Sequence, residues 1–321
     1  MMRLRSYLLL LSSALILLTA LSCTREAVPG VPGSITISVE TAEMETKAGE
    51  GQQLQIAVVN AGGSVIARYP GDGSLVASST VEFQNINPGN YTVYAVQSNG
   101  IMAAFASAST ASALEGLMAS ASDGDPSYAD GDIPMSAVGG VRVNTGGTGQ
   151  VNLSLQRVCA RVSLSFVNET GEAIAVSNCV VTLEQMNPQN GFLFGRTADY
   201  LTGSTPDDLV LSHAAAVPIE NLGSSDFANL SALVFPSRAP AHRPGYRYLC
   251  SISFTVGGTD YAFTDLPVHD RRSADIQAVG RNQHLKIETR IGKKIEDEYL
   301  VSFHFEVADW VIENPSFVWF H

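Results

Sequence analysis

The residues in this 321-residue chain with chemistry to offer are four cysteines, six histidines and a run of aspartates. A thiolate is a nucleophile or a soft metal ligand, an imidazole is a base or a metal ligand, and clustered carboxylates suit a hard cation such as calcium. Spacing decides among these uses. His213, His242, His269, His284, His304 and His321 are scattered, with no two at close metal-ligand spacing. Asp123, Asp125, Asp130 and Asp132 lie among Gly, Pro and Ser, but no glutamate follows at the bidentate position of a calcium loop. That segment reads as a solvated acidic loop. Cys159, Cys179 and Cys250 lack the paired spacing of a zinc site. Either they are buried thiols packed as small hydrophobes, or one pair, such as Cys179 with Cys250, forms a bridge. No Gly-x-Ser-x-Gly elbow, phosphate-cradling loop or dinucleotide-binding turn occurs. The expectation is a chain that is not an enzyme and takes no cofactor and no metal.

Cys23 stands apart because of what precedes it. Arg3 and Arg5 form a short positive region, Leu8 to Leu21 is mostly apolar, and Ala20-Leu21-Ser22 ends the segment with small residues. This is the pattern of a cleavable export signal, with an apolar run shorter than a membrane span requires. Ser22-Cys23 resembles the end of a bacterial lipobox, although the large aliphatic residue usual three places before the cysteine is Ala20 here. Residues 1–22 are then removed and Cys23 is the lipidated first residue, tethering the protein to the outer membrane. Several acyl chains together hold far more firmly than one. Acidic residues number 31 against 19 basic ones, a formal charge of −12 that becomes −14 once Arg3 and Arg5 are lost. Such a balance excludes a nucleic-acid binder that works by neutralising phosphates.

The elements are almost all strands. After a tether over residues 23–33, punctuated by Pro29-Gly30 and Pro32-Gly33, apolar residues recur with period two. They do so at Ile35, Ile37, Val39, at Leu54, Ile56, Val58, and on both sides of the Asn87-Pro88-Gly89-Asn90 turn, which makes a hairpin or a tight corner. Ser112 and Glu115 have capping-box spacing, and Leu114, Leu117 and Met118 would share one face of a short helix. From Val151 to Phe166 the alternation slips phase near Gln156-Arg157, which implies a bulge or a crossing between domains. The second half repeats the pattern at Cys179-Val181-Leu183, Tyr248 to Val256, Leu285 to Ile291 and Val301 to Val307. Many short strands with frequent turns predict an all-β chain of two antiparallel β-sandwiches, residues 34–156 and 157–321, with one short helix in the first. Trp310 and Trp319 could form a glycan-binding platform or pack as core residues. Phe317 to Phe320 is apolar on both faces, so it is buried in its own domain or covered by another chain.

Several short stretches together resemble the Bacteroidetes fimbrillin superfamily. They are the lipobox-like signal, Glu45-Thr46-Lys47-Ala48, Leu54 to Val59 with its Ala61-Gly62-Gly63-Ser64 turn, and Pro88 to Val96. Asp132-Ile133-Pro134-Met135-Ser136, Leu155 to Val162 and Arg281-Asn282 complete the set. The resemblance implies two tandem transthyretin-like sandwiches, export as a surface lipoprotein, and partnership with other fimbrial subunits through strand addition. It also implies that in stalk subunits a trypsin-like protease cuts after a basic residue and frees the first strand, whereas anchor subunits keep theirs. The nearest basic residue after Ser34 to Val39 is Lys47, with no arginine until Arg68. Lys47 is therefore the candidate processing site. The alternative function is that of a surface glycan-binding lipoprotein using Trp310 and Trp319.

Overall fold

A computed structural model of the protein describes residues 30–41, 53–70, 80–98, 102–120, 133–188, 190–194, 206–239, 247–270 and 274–309. Most of them are in strands. The first group comprises β1 (Gly33–Thr41), β2 (Gln53–Asn60), β3 (Val65–Tyr69), β4 (Thr80–Ile86), β5 (Gly89–Ser98), β6 (Met118–Ser120), β7 (Met135–Val143) and β8 (Thr148–Arg157). Two helices, α1 (Met102–Ser107) and α2 (Ala111–Glu115), fall between β5 and β6. The second group comprises β9 (Ala160–Asn168), β10 (Ile174–Asn187), β11 (Asn190–Phe192), β12 (Asp207–His213), β13 (Val217–Ile219) and β14 (Ser224–Val234). It ends with β15 (Ser237–Arg238), β16 (Leu249–Val256), β17 (Thr259–Pro267), β18 (Ala278–Val279), β19 (Gln283–Ile295) and β20 (Glu298–Asp309). Among the described residues no helix is long and apolar enough to cross a membrane.

In the first group the strand order is β3-β2-β5-β7-β8-β1-β4. The β7–β8 ladder is confined to Met135 opposite Arg157 and Ser136 opposite Gln156, so the sheet folds over at that corner. Gly139 permits the crossing, since a Cβ there would lie 2.6 Å from Leu153 Cδ2. The two layers enclose Ile35, Ile37, Val39, Leu54, Ile56, Val58, Val93, Leu153 and Leu155. Alternation thus faces the core in β1 as expected, but β2 is buried from Leu54 through Val59 on both faces. The reason is a second cover: Ala57, Val59, Tyr94 and Val96 pack beneath the helical segment. The 87–90 turn is a corner, because β4 pairs with β1 while β5 pairs with β2.

The helical segment differs in detail from its sequence signature. The N-cap of α2 is Thr110, whose Oγ1 accepts from Ala113 N at 3.2 Å, so Ser112 lies inside the helix. Glu115 is taken up instead by the Tyr94 hydroxyl, which donates to it at 2.8 Å. Leu114 is fully buried, whereas Met118 belongs to β6 and is 44% exposed. A helix this short presents only one side chain to the core before the chain turns into a strand.

The second group repeats the first. Its sheets are β14-β9-β19-β20 and β12-β10-β16-β17, with β13 beside β10. Position by position, β14-β9-β19 matches β4-β1-β8, and β12-β10-β16-β17 matches β3-β2-β5-β7. In each group the opening strand runs parallel to a late one, β1 to β8 and β9 to β19, and antiparallel to another. In these sheets β20 and the short β13 have no counterpart. The phase slip after Gln156 is a break between β8 and β9, bridged by Val158 and Cys159, both fully buried. Tight turns close the hairpins: Gly257 and Gly258 both adopt positive φ between β16 and β17, and Glu296 and Asp297 do so between β19 and β20.

Cys159, Cys179 and Cys250 are all free and buried. A Cys179–Cys250 bridge does not form, because the β10–β16 register sets Cys250 opposite Leu183, four residues along from Cys179. Burial pushes all three thiols up to about 12. They stay protonated and inert near neutral pH.

Candidate strand groove and the joint between strand groups

β1 is the central strand of its layer. Ser34 to Ser38 pair antiparallel with β4 on one side, and Ser34 to Thr41 pair parallel with β8 on the other. Ile37, for instance, has Val81 as one neighbour and Val151 as the other. The inward side chains Ile35 and Ile37 are fully buried and Val39 is 6% exposed. At the entry, Ser34 N donates to Gly147 O at 3.1 Å, and the Ser34 and Thr148 hydroxyls are 2.9 Å apart. Gly33 fits where no side chain would, since a Cβ there would stand 2.0 Å from Gly147 O. The strand therefore lies in a groove between β4 and β8. Its apolar side chains fill one wall of the core, and its backbone supplies two ladders. This arrangement does no covalent chemistry; it holds one extended apolar segment in a fixed register.

A second feature ties the two strand groups together. β6 from the first group pairs with β11 from the second, with Ala119 opposite Gly191. Leu193 N extends the contact by donating to Leu117 O at 2.8 Å. A shared apolar cluster joins Tyr94, Phe105 and Leu114 to Cys159, Phe194 and Phe235. The Tyr94 and Phe194 rings meet edge-on at 5.1 Å. Arg281 reaches into this joint: Nη1 donates to Leu193 O at 3.0 Å, and Nη2 donates to Ser136 Oγ at 2.7 Å and Gln156 O at 3.0 Å. Arg157 Nη1 donates to Asn282 Oδ1 at 3.1 Å. Burial pushes both guanidiniums down to about 10, so they remain charged at neutral pH. Carbonyls and a hydroxyl gather around Arg281 as its hydrogen-bond partners.

The sequence-predicted site residues divide as follows. Cys23, Lys47, Trp310, Trp319 and the aspartate cluster over 123–132 lie outside the described residues. Among the described residues no three His, Cys, Asp or Glu side chains gather where a metal ion could sit. The joint residues escaped the sequence reading. Arg281 and Ser136 sit inside stretches that carry the family resemblance, but their contact spans 145 positions and no local pattern encodes it.

No protein-family model matches the chain, and no curated protein matches it. Solved structures do. A candidate cell adhesion protein from Bacteroides eggerthii DSM 20697 superposes with a TM-score of 0.55 at 16% identity, over 88% of this chain and 97% of that one. Another, from Parabacteroides distasonis ATCC 8503, gives 0.54 at 11% identity over 88% and 98%. A fimbrilin, FimA, from Porphyromonas gingivalis W83 gives 0.52 at 12% identity over 87% and 98%. The chain shares its fold with a fimbrilin. At these identities the likeness establishes the fold, and the resemblance read from the sequence holds at that level.

Proposed function

We propose that this protein is a structural subunit of cell-surface fimbriae, serving as stalk, anchor or accessory component, and that it assembles by β-strand exchange through the groove that β1 occupies. The observation that carries the reading is β1 itself. It is the first strand among the described residues, it follows a stretch with Pro29-Gly30 and Pro32-Gly33, and it is inserted between two strands rather than added at an edge. A strand so placed can be replaced by another chain's extended segment with every ladder bond and apolar contact regained. The fold likeness to a fimbrilin and to candidate cell adhesion proteins supports a structural rather than an enzymatic role.

In this reading Cys23 carries the lipid that fixes the chain to the outer membrane, facing outward. Residues 34–156 and 157–321 are two transthyretin-like domains, and the other fimbrial subunits are the partners. Cleavage after Lys47 would detach β1 from the rest of the chain, so that an incoming strand can displace it from the groove. Mass spectrometry of the N-terminus of protein taken from its native outer membrane tests this. A new N-terminus at Ala48 identifies a polymerising stalk subunit, and a triacylated Cys23 in fimbria-sized material identifies an anchor. Purely monomeric behaviour in the native membrane overturns the fimbrial role.

A further inference from the structure

β20 extends the second sheet beyond the repeat between the two groups, and among the described residues it leaves a long edge. Among the described residues three other outer strands carry or run into a proline or a left-handed residue that discourages pairing. β3 is five residues long and runs into Pro70. β4 contains left-handed Asn85, and β17 contains left-handed Asp265 and ends at Pro267. The pairings of β12 and β14 shift register, as does that of β20 between Ile291 and Lys294 near its turn, and β12 is only seven residues long. β20 is twelve residues long, with no proline and no left-handed residue. It pairs with β19 along one side and lies at the end of its sheet.

The core is also unfinished along this edge. Leu285, Ile287 and Ile291 on β19 are completely buried. Val301, Phe303 and Val307 on β20, and Tyr261, Phe263 and Leu266 on β17, are only partly so. The Phe263 and Phe303 rings meet at 4.8 Å and bridge the two sheets at this open side. An apolar seam thus runs between the last strands of the two layers.

We infer that the β20 edge and this seam dock against the same edge of a second copy, forming a two-fold dimer with a continuous eight-stranded sheet. An axis perpendicular to the joined sheet keeps the inner faces of both copies on one side, so seam meets seam, as an isologous contact requires. The register follows from charge. With Phe305 on the axis, His304 lies opposite the partner's Glu306, and Glu306 opposite the partner's His304. Within one copy His304 already faces Glu288, and Glu306 faces Lys286. Across the dimer each row then reads Lys286, Glu306, the partner's His304, the partner's Glu288, so that no two carboxylates are neighbours and each meets a cation or an imidazole. Centring on His304 instead would oppose two histidines and leave both glutamates beside serines. In the favoured register Phe303 meets the partner's Val307, apolar against apolar, and Ser302 meets the partner's Ala308.

Cysteine cross-linking of the full chain tests both the contact and its register. The double variant Ser302→Cys with Ala308→Cys should form a covalent dimer on mild oxidation, since opposed residues have Cβ atoms about 5 Å apart. Each single variant alone should not, because its two copies lie six residues out of step, roughly 20 Å. An equal mixture of the two single variants should give the heterodimer. Glu306→Lys puts like charges in both rows and should weaken the dimer at least tenfold by sedimentation. The inference is overturned if the unmodified chain sediments as a monomer at about 100 µM, well above where an interface of standard size is populated. It is equally overturned if the double variant cross-links no better than the singles. The proposal stands apart from strand exchange at β1: a chain that builds fimbriae yet fails to cross-link refutes this dimer alone.

Discussion

If β1 is the exchanged strand, cutting the chain behind it should not by itself release it. Ile35, Ile37 and Val39 are buried essentially completely, and at about 1.5–3 kcal/mol each their burial is worth roughly 5–9 kcal/mol. Ladder bonds to both β4 and β8 add about 0.5–1.5 kcal/mol apiece. The sum rivals the roughly 5–15 kcal/mol by which a whole domain is stable. An empty groove is therefore nearly as costly as unfolding, and β1 should leave only when a replacement strand enters. The test places a specific protease site over residues 45–48, nicks the purified chain, and follows the N-terminal fragment by native mass spectrometry. The fragment should stay bound after nicking and depart when a competing strand peptide is added. Ile37→Ala should cost about 2–5 kcal/mol, loosening the nicked fragment roughly 30- to 5,000-fold. Spontaneous loss of the fragment from the otherwise unmodified nicked chain at micromolar concentration, with the remainder still folded, would refute the reasoning.

Three further outcomes follow from the geometry. The three buried thiols have folded pKa values pushed up to about 12, against roughly 9 when exposed, so above pH 9 the unfolded chain releases protons that the folded one retains. Their stabilising contribution is intact below pH 9 and falls by about 1.4 kcal/mol per thiol per pH unit above it; urea titrations at pH 8 and 10 should show the drop, and replacing all three by alanine should flatten it. Arg281→Met removes donors to Leu193 O, Ser136 Oγ and Gln156 O and should cost about 3 kcal/mol at about 1 kcal/mol per bond. Calorimetry should then split one melting transition into two, as the strand groups lose their tie; a single unshifted transition would show that Arg281 does not hold the joint. Glu296 and Asp297 both occupy the left-handed region in the β19–β20 turn, so Glu296→Asn with Asp297→Gly should raise stability by about 1 kcal/mol, read from the denaturant midpoint.

Local physics made the strands legible and hid what covers them. Period-two alternation located β1, β9, β16 and β19 because each has one face toward a core and its partners are chosen by register. β2 read as an ordinary alternating strand, yet its outer face is buried as well, beneath a helical segment whose docking no local pattern announces. The capping signature at Ser112 was misplaced by two residues because Thr110 also offers an oxygen at the right distance, and the chain direction entering the helix selects between them. The free thiols needed a register, since Cys179 and Cys250 lie on adjacent strands but four residues out of step. Gly33 reads in the sequence as turn punctuation, whereas in the fold it lets the chain run close to Gly147 O, which would stand 2.0 Å from a Cβ at that position.

The internal repeat also explains why exchange would be confined to one place. β1 and β9 hold equivalent positions, each central in its layer with one parallel and one antiparallel neighbour. What differs is how each is attached. β1 is preceded by Pro29-Gly30 and Pro32-Gly33, and in the proposed exchange it would leave without taking β8 or the joint with it. β9 begins two residues after β8 ends, and those two, Val158 and Cys159, are fully buried in the joint. Val158 N donates to Pro134 O at 2.9 Å, and Cys159 O accepts from Asn282 N at 3.0 Å. Withdrawing β9 would break the joint, the second core and β8 together. Under the proposed exchange the same sheet position would therefore open in the first strand group and stay locked in the second, and the difference lies in the residues that precede the strand rather than in the strand itself.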